Sequence, residues 1–171
     1  KIYSNNIEWV NHNVEHNSPV YSGTFYIYKT SKGMVIVNRV AVDDYISKVV
    51  SSEIGGEAPM EALKAQAVCA RTYILKCSKS KYKKYNAIAD DSTSYQVYNR
   101  IGENIKTKKA AKATNGIVMT YENELINAYY FSTSCGYTTD YRIWGKEKKL
   151  YLQGTNLTKN KTYKSNGNCK K

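Results

Sequence analysis

One carboxyl in this chain stands where a helical pattern calls for an apolar side chain. Val42, Tyr45, Ile46, Val49 and Val50 recur at steps of three and four, the spacing that lines one face of a helix. Glu53 falls three and four residues beyond Val50 and Val49, on that same inward face. Gly55 and Gly56 then stop the helix, leaving Glu53 beside the negative end of its dipole. A carboxyl aimed at a core there is expected to hold its proton more tightly than a surface one, as a general acid near neutral pH requires. The ordinary alternative is a solvated helix-terminal glutamate. Two neighbouring acids fit the chemistry less well. Glu57 lies in the glycine-rich turn, and Glu61 opens the next helix, where a negative charge suits the dipole on structural grounds. Asp90 and Asp91 belong to a different block, so the sequence sets no second acid beside Glu53.

The elements that must hold this group follow from periodicity. A first helix is expected over about 43–53, with Asp43 or Asp44 capping its start. A second runs over 60–78 behind Pro59, with Met60, Leu63, Ala67, Ala70, Ile74 and Cys77 as its buried stripe. So many alanines suit close packing against another backbone. Lys64, Val68 and Arg71 form the opposite stripe, where Lys64 or Arg71 either reaches a polar cleft or stays solvated. Upstream, Tyr21–Thr30 and Met34–Val40 read as a hairpin about Ser31-Lys32-Gly33. Downstream come a polar loop over 79–95, a strand-like Gln96–Tyr98, and a basic helix near 103–114 that ends at Asn115-Gly116. Strands at 117–121 and 125–133 are expected to flank a turn at Glu122–Glu124, and the last third reads as loop. In Ala128–Ser134, alternation sets Tyr129, Phe131 and Thr133 against Tyr130, Ser132 and Ser134. Phe131 is expected in the core, which turns the serines toward a polar cleft wall faced by Gln96 and Tyr98. Strands and helices in separate runs argue for an α+β fold, a mixed domain of short antiparallel strands and a few helices with a substrate groove. The expectation is one domain over 1–171, with polar ends at 1–20 and 156–171 and no internal repeat.

Several of these segments together resemble one known family. PMEALKAQAVCARTYIL is similar to the signature helix of the stage II sporulation protein D family, close to P-L-E-A-L-K-A-Q-A-V-A-A-R-T-Y in its usual form. VNRVAVDDYISKVVSSE precedes it, and DSTSYQVY, GIVMTYENELINAYYFSTSCG, IWG and LYLQG follow in the family's order, so the resemblance spans about 21–155. It implies a peptidoglycan lytic transglycosylase in which Glu53 is the catalytic acid. It also implies a groove to which Lys64, Gln96, Tyr98, Ser132 and Ser134 contribute. The implied reaction cleaves the MurNAc–GlcNAc bond without water and leaves a 1,6-anhydro end, which one carboxyl can manage because the substrate supplies its own nucleophile. Hydrolysis normally needs two carboxyls. The implied setting is sporulation cell-wall remodelling outside the cytoplasm, cell-wall or membrane-associated through a segment not present in this chain. Glycan strands and other sporulation wall hydrolases are the implied partners. Some relatives are amidase enhancers, so a non-catalytic wall-binding module is the alternative.

The chain also departs from the family. Relatives often carry His-Cys before Gln-Val-Tyr, and some use such residues for zinc; here Ser94 and Tyr95 stand there. Cys135 replaces the first glycine of an S-T-S-G-G loop, and the C-terminal G-H-G-V-G-M-S-Q-type block is missing. His12 and His16 sit among Asn11, Asn13, Asn17 and Ser18, a polar loop rather than a metal-binding helix. The expectation is no metal and no cofactor.

Composition narrows the partner. The net charge of +12 points to a polyanion, a lysine-rich soluble surface being the plain alternative. Only four arginines, Arg39, Arg71, Arg100 and Arg142, accompany the lysines, and no nucleic-acid motif is present, which disfavours nucleic acid. No run approaches the ~20 apolar residues of a membrane span. The 17 tyrosines supply rings that stack on sugars and hydroxyls that bond to them, though most belong in the core. Cys69, Cys77, Cys135 and Cys169 show no CxxC spacing, and the first two are expected as buried free thiols.

Overall fold

A computed structural model of the chain describes residues 21–77, 82–98, 104–134, 136–145 and 147–157. His12, His16, Arg100, Cys135, Cys169 and most of the polar ends lie outside the described residues. The fold is α+β, as expected, and divides into two compact units, one running to Tyr129 and one starting at Tyr130.

The first unit opens with an antiparallel hairpin, β1 (Thr24–Thr30) and β2 (Gly33–Arg39), in register from Thr24 opposite Arg39 to Thr30 opposite Gly33. Its turn is closed by the Thr30 hydroxyl, which accepts from the Lys32 N–H at 3.2 Å and donates to the Gly33 carbonyl at 3.0 Å. Helix α1 (Val42–Ile54) follows, then α2 (Met60–Lys76) behind Pro59, each within two residues of its expected bounds. Helix α3 (Ile105–Ala113) is capped by Asn104, whose side chain accepts the Lys106 N–H at 2.8 Å. The core is built where the three helices meet. Ile46, Val49 and Val50 come from α1, Leu63, Ala67, Ala70 and Ile74 from α2, Ala110 and Ala111 from α3, and Tyr98 joins them from a loop. The alanines let the helix backbones approach closely.

Four expectations are corrected here. Neither Asp43 nor Asp44 caps α1. Ala41 occupies the cap position without a side-chain bond, and both aspartates sit in the first turn. Asp43 is taken instead by Arg71, at 3.0 Å. Val42 is 43% exposed, so the inward face of α1 begins at Tyr45 and Ile46. The two long strands shrink to β3 (Thr120–Tyr121) and β4 (Glu124–Leu125), joined by Glu122 and Asn123, both at positive φ as a tight hairpin turn requires. Beyond Leu125 no strand pairing supports the alternation in Ala128–Ser134 among the described residues, and Phe131 is 59% exposed rather than core.

In the second unit, the Asp140 side chain accepts the Arg142 N–H at 2.9 Å and so starts a 3-10 turn over Tyr141–Ile143. Tyr137 bridges Asn156, and the Thr138 N–H donates to the Thr155 carbonyl at 2.9 Å. Gly136 is the sole buried residue among those described in this unit.

A candidate active site at the end of the first long helix

Glu53 lies in the last turn of α1, half-buried, just before Gly55 turns the chain at φ 74°. Its Oε1 accepts the backbone N–H of Val97 at 2.9 Å. Among the described residues that is the carboxyl's one hydrogen bond, and Oε2 takes none. A carboxyl gripped on one oxygen and open on the other can carry a proton to a bound group in a fixed direction.

The segment that delivers the Val97 N–H is itself held by the core. Gln96 is 1% exposed; its amide donates to the Ala70 carbonyl of α2 at 3.3 Å, and its Oε1 accepts the Tyr45 hydroxyl of α1 at 3.2 Å. Tyr98, 8% exposed, stacks on the Tyr45 ring with centroids 4.9 Å apart, and its hydroxyl donates to Asn38 at 3.3 Å. Upstream, Asp90 orders the loop by accepting the Tyr82 hydroxyl at 2.6 Å and the Ser92 N–H at 3.0 Å. Two residues that sequence reading did not assign to the site emerge here. Val97 contributes its peptide N–H, and Tyr45, whose spacing marks only an apolar ring on the inward face, contributes its hydroxyl. The alternation of Gln96 and Tyr98 about Val97 is the signal that could have found the Val97 peptide, while no local pattern marks the Tyr45 hydroxyl.

The other expected site residues fall on different elements. Lys64 pairs with Glu61 at 2.7 Å on the outer side of α2. Ser132, exposed, and Ser134, half-buried, belong to the second unit, and the alternation that assigned them to a polar face is not realised. Arg71 faces neither cleft nor solvent. It is 2% exposed and donates to Asp43, the Ala111 and Ile117 carbonyls and Thr114, tying α1, α2 and α3 together. Glu57 pairs with Lys106 at 3.5 Å with its carboxyl almost fully exposed. Ser94 is exposed and its N–H serves the Ser92 hydroxyl, while Tyr95 is half-buried. A hydroxyl and a phenol do not fit the imidazole and thiolate donors that hold zinc in proteins. Among the described residues no three His, Cys, Asp or Glu side chains gather as a metal-binding group.

A second polar cluster lies along α2. Burial, with the Cys77 thiol as the next cause, pushes the Tyr73 phenol up to about 12. Cys69 and Cys77 are free and half-buried rather than fully buried, and burial raises both thiols. Such thiols are poor nucleophiles at neutral pH.

Comparison with known proteins bears on this geometry. The family model described as SpoIID, stage II sporulation protein, matches residues 30–121, which include Glu53, Gln96 and Val97. The chain is 34% identical over 143 residues to stage II sporulation protein D of Bacillus amyloliquefaciens, covering 74% of this chain and 41% of that protein. It is 36% identical over 125 residues to an uncharacterized protein of Brachyspira hyodysenteriae, covering 72% of this chain and 34% of that one. Over 90 residues it is 39% identical to the amidase enhancer of Bacillus subtilis, covering 53% of this chain and 12% of that protein. The chain thus spans less than half the length of these relatives.

Proposed function

The chain belongs to the SpoIID stage II sporulation protein family, and from that membership we propose that it is a lytic transglycosylase cutting peptidoglycan glycan strands in sporulation cell-wall remodelling. The observation that carries this reading is the Val97 N–H on Glu53 Oε1, which fixes a single carboxyl at a helix end by one oxygen and leaves the other without a hydrogen bond among the described residues. In its acid form Glu53 gives its proton to the glycosidic oxygen as the bond to MurNAc C1 breaks. The carboxylate then takes the proton of the MurNAc C6 hydroxyl as that oxygen bonds to C1, giving a 1,6-anhydro end. Every proton is returned and no water is consumed, so one carboxyl suffices. Hydrolysis with two carboxyls would need a partner about 5–9.5 Å away. Three of the acids the sequence offered have other work: Glu57 and Glu61 face solvent against lysines, and Asp90 holds its own loop. The basic surface of a chain with net charge +12 suits an anionic wall. Because the substrate lies outside the cytoplasmic membrane, the site is expected to work there, alongside other wall hydrolases.

The test is mass spectrometry of muropeptides after incubation with peptidoglycan. Glu53→Gln keeps an oxygen acceptor for the Val97 N–H and removes only the proton donor. Anhydro-ended products are expected from wild type and a loss of at least about a hundredfold from the variant. Equal cleavage by both proteins would remove Glu53 as the acid.

A second reading is favoured by the match to the amidase enhancer. In it the chain binds the wall and stimulates an amidase without cutting glycan. Peptide release by an added amidase should then rise equally with wild type and Glu53→Gln, with no anhydro ends in either.

A further inference from the structure

We infer that Gln96 is a positioning residue for Glu53, acting through the peptide N–H of Val97 rather than by touching a sugar. This rests on the reading of Glu53 as the acid. A groove residue would offer a polar end to a ligand, but both ends of the Gln96 amide are engaged inside the protein. Its donor goes to the Ala70 carbonyl at 3.3 Å and its acceptor to the Tyr45 hydroxyl at 3.2 Å, with 1% of the residue exposed. A buried amide is costly unless bonded, and a leucine or methionine could fill the same volume. What the amide adds is orientation. In an extended segment alternate side chains point the same way, so Gln96 and Tyr98 both drop into the core and fix the peptide between them. Tyr45 grips both anchors, one with its hydroxyl and the other with its ring. It sits about two turns before Glu53 on α1. The acid and the clamp that aims it are therefore referenced to the same helix, and the Val97 N–H meets Oε1 at 2.9 Å without any direct contact between Gln96 and Glu53.

Two variants test this. Gln96→Met keeps about the same volume but exchanges the amide for an apolar thioether, losing the bonds to Ala70 and Tyr45. Tyr45→Phe removes one of them and keeps the stack on Tyr98. The Val97 amide is read by proton–nitrogen NMR and hydrogen exchange, which requires no activity. Turnover is measured on soluble uncross-linked glycan strands as kcat and KM separately. For Gln96→Met the Val97 amide proton should move upfield and exchange about tenfold faster or more. The same variant should lose about tenfold or more in kcat at unchanged KM. Tyr45→Phe should lose about threefold in kcat, in the same direction. A Val97 amide unchanged in Tyr45→Phe and in any folded Gln96→Met overturns the proposal. So does a rise in KM at constant kcat, which would make Gln96 a substrate contact. Should wild type release no anhydro ends, the acid reading fails by itself, and the Val97 amide still decides whether Gln96 holds the peptide.

Discussion

Glu53 presents two unlike oxygens, because one is bound to a peptide N–H contributed from 44 residues away. Its placement was readable from the helical spacing alone, whereas its partner was not. The same split runs through other residues. Arg71 could be assigned to a helix face, but its partners Asp43, Ala111, Thr114 and Ile117 lie 28 to 46 residues off, and only the fold brings them together. Phe131 shows the opposite failure, since its chemistry suggested a core that no neighbouring strand provides. One prediction belongs to this scale. Tyr73 is raised to about 12 by burial and by Cys77, while in the unfolded chain a tyrosine titrates near its ordinary value of about 10. Between those values the native state keeps a proton that the unfolded state has released, so stability falls as pH rises through that window. Below about 10 both states are protonated and the contribution is fully present. Ultraviolet titration should show one tyrosine ionising near 12, absent in Tyr73→Phe. A Tyr73→Phe spectrum identical to wild type up to that pH would contradict it.

At the level of elements, the helices and the first hairpin were legible because each carries its own period, caps or turn residues over many positions. The turn between β3 and β4 was legible too but the length of the strands was not, because a strand exists only where a partner pairs with it, and here pairing stops after two residues on each side. The end of α1 and the start of α3 also meet in a way no local pattern announces. A Cβ placed on Gly56 would collide with the side-chain amide of Asn104, the residue that caps α3. Gly56→Ala should therefore push Asn104 off the Lys106 N–H and cost about 1–2 kcal/mol, with some loss of helical signal in circular dichroism. Asn104→Ala should cost a similar amount, and the double variant little more than either alone, because both act on the same cap. Full additivity in chemical denaturation would show that the two sites are independent.

For the molecule as a whole, every residue of the helical core lies before Tyr129, and the second unit buries only Gly136 among its described residues. A chain ending at Tyr129 is therefore expected to keep the helical signal of α1–α3 and to unfold cooperatively; a broad, non-cooperative melt would show that later residues complete the core. The grip of Tyr45 on Gln96 has a consequence in time as well as in space. Helices α1 and α2 are joined by the short link Gly55–Pro59, whereas Tyr45 and Gln96 are 51 residues apart in sequence. Closing the longer loop costs more chain entropy, so the helical pair is expected to form before the strap that bonds Glu53. Disturbing Gln96 is then expected to speed unfolding while refolding keeps most of its rate, a newly made chain being helical before it is armed.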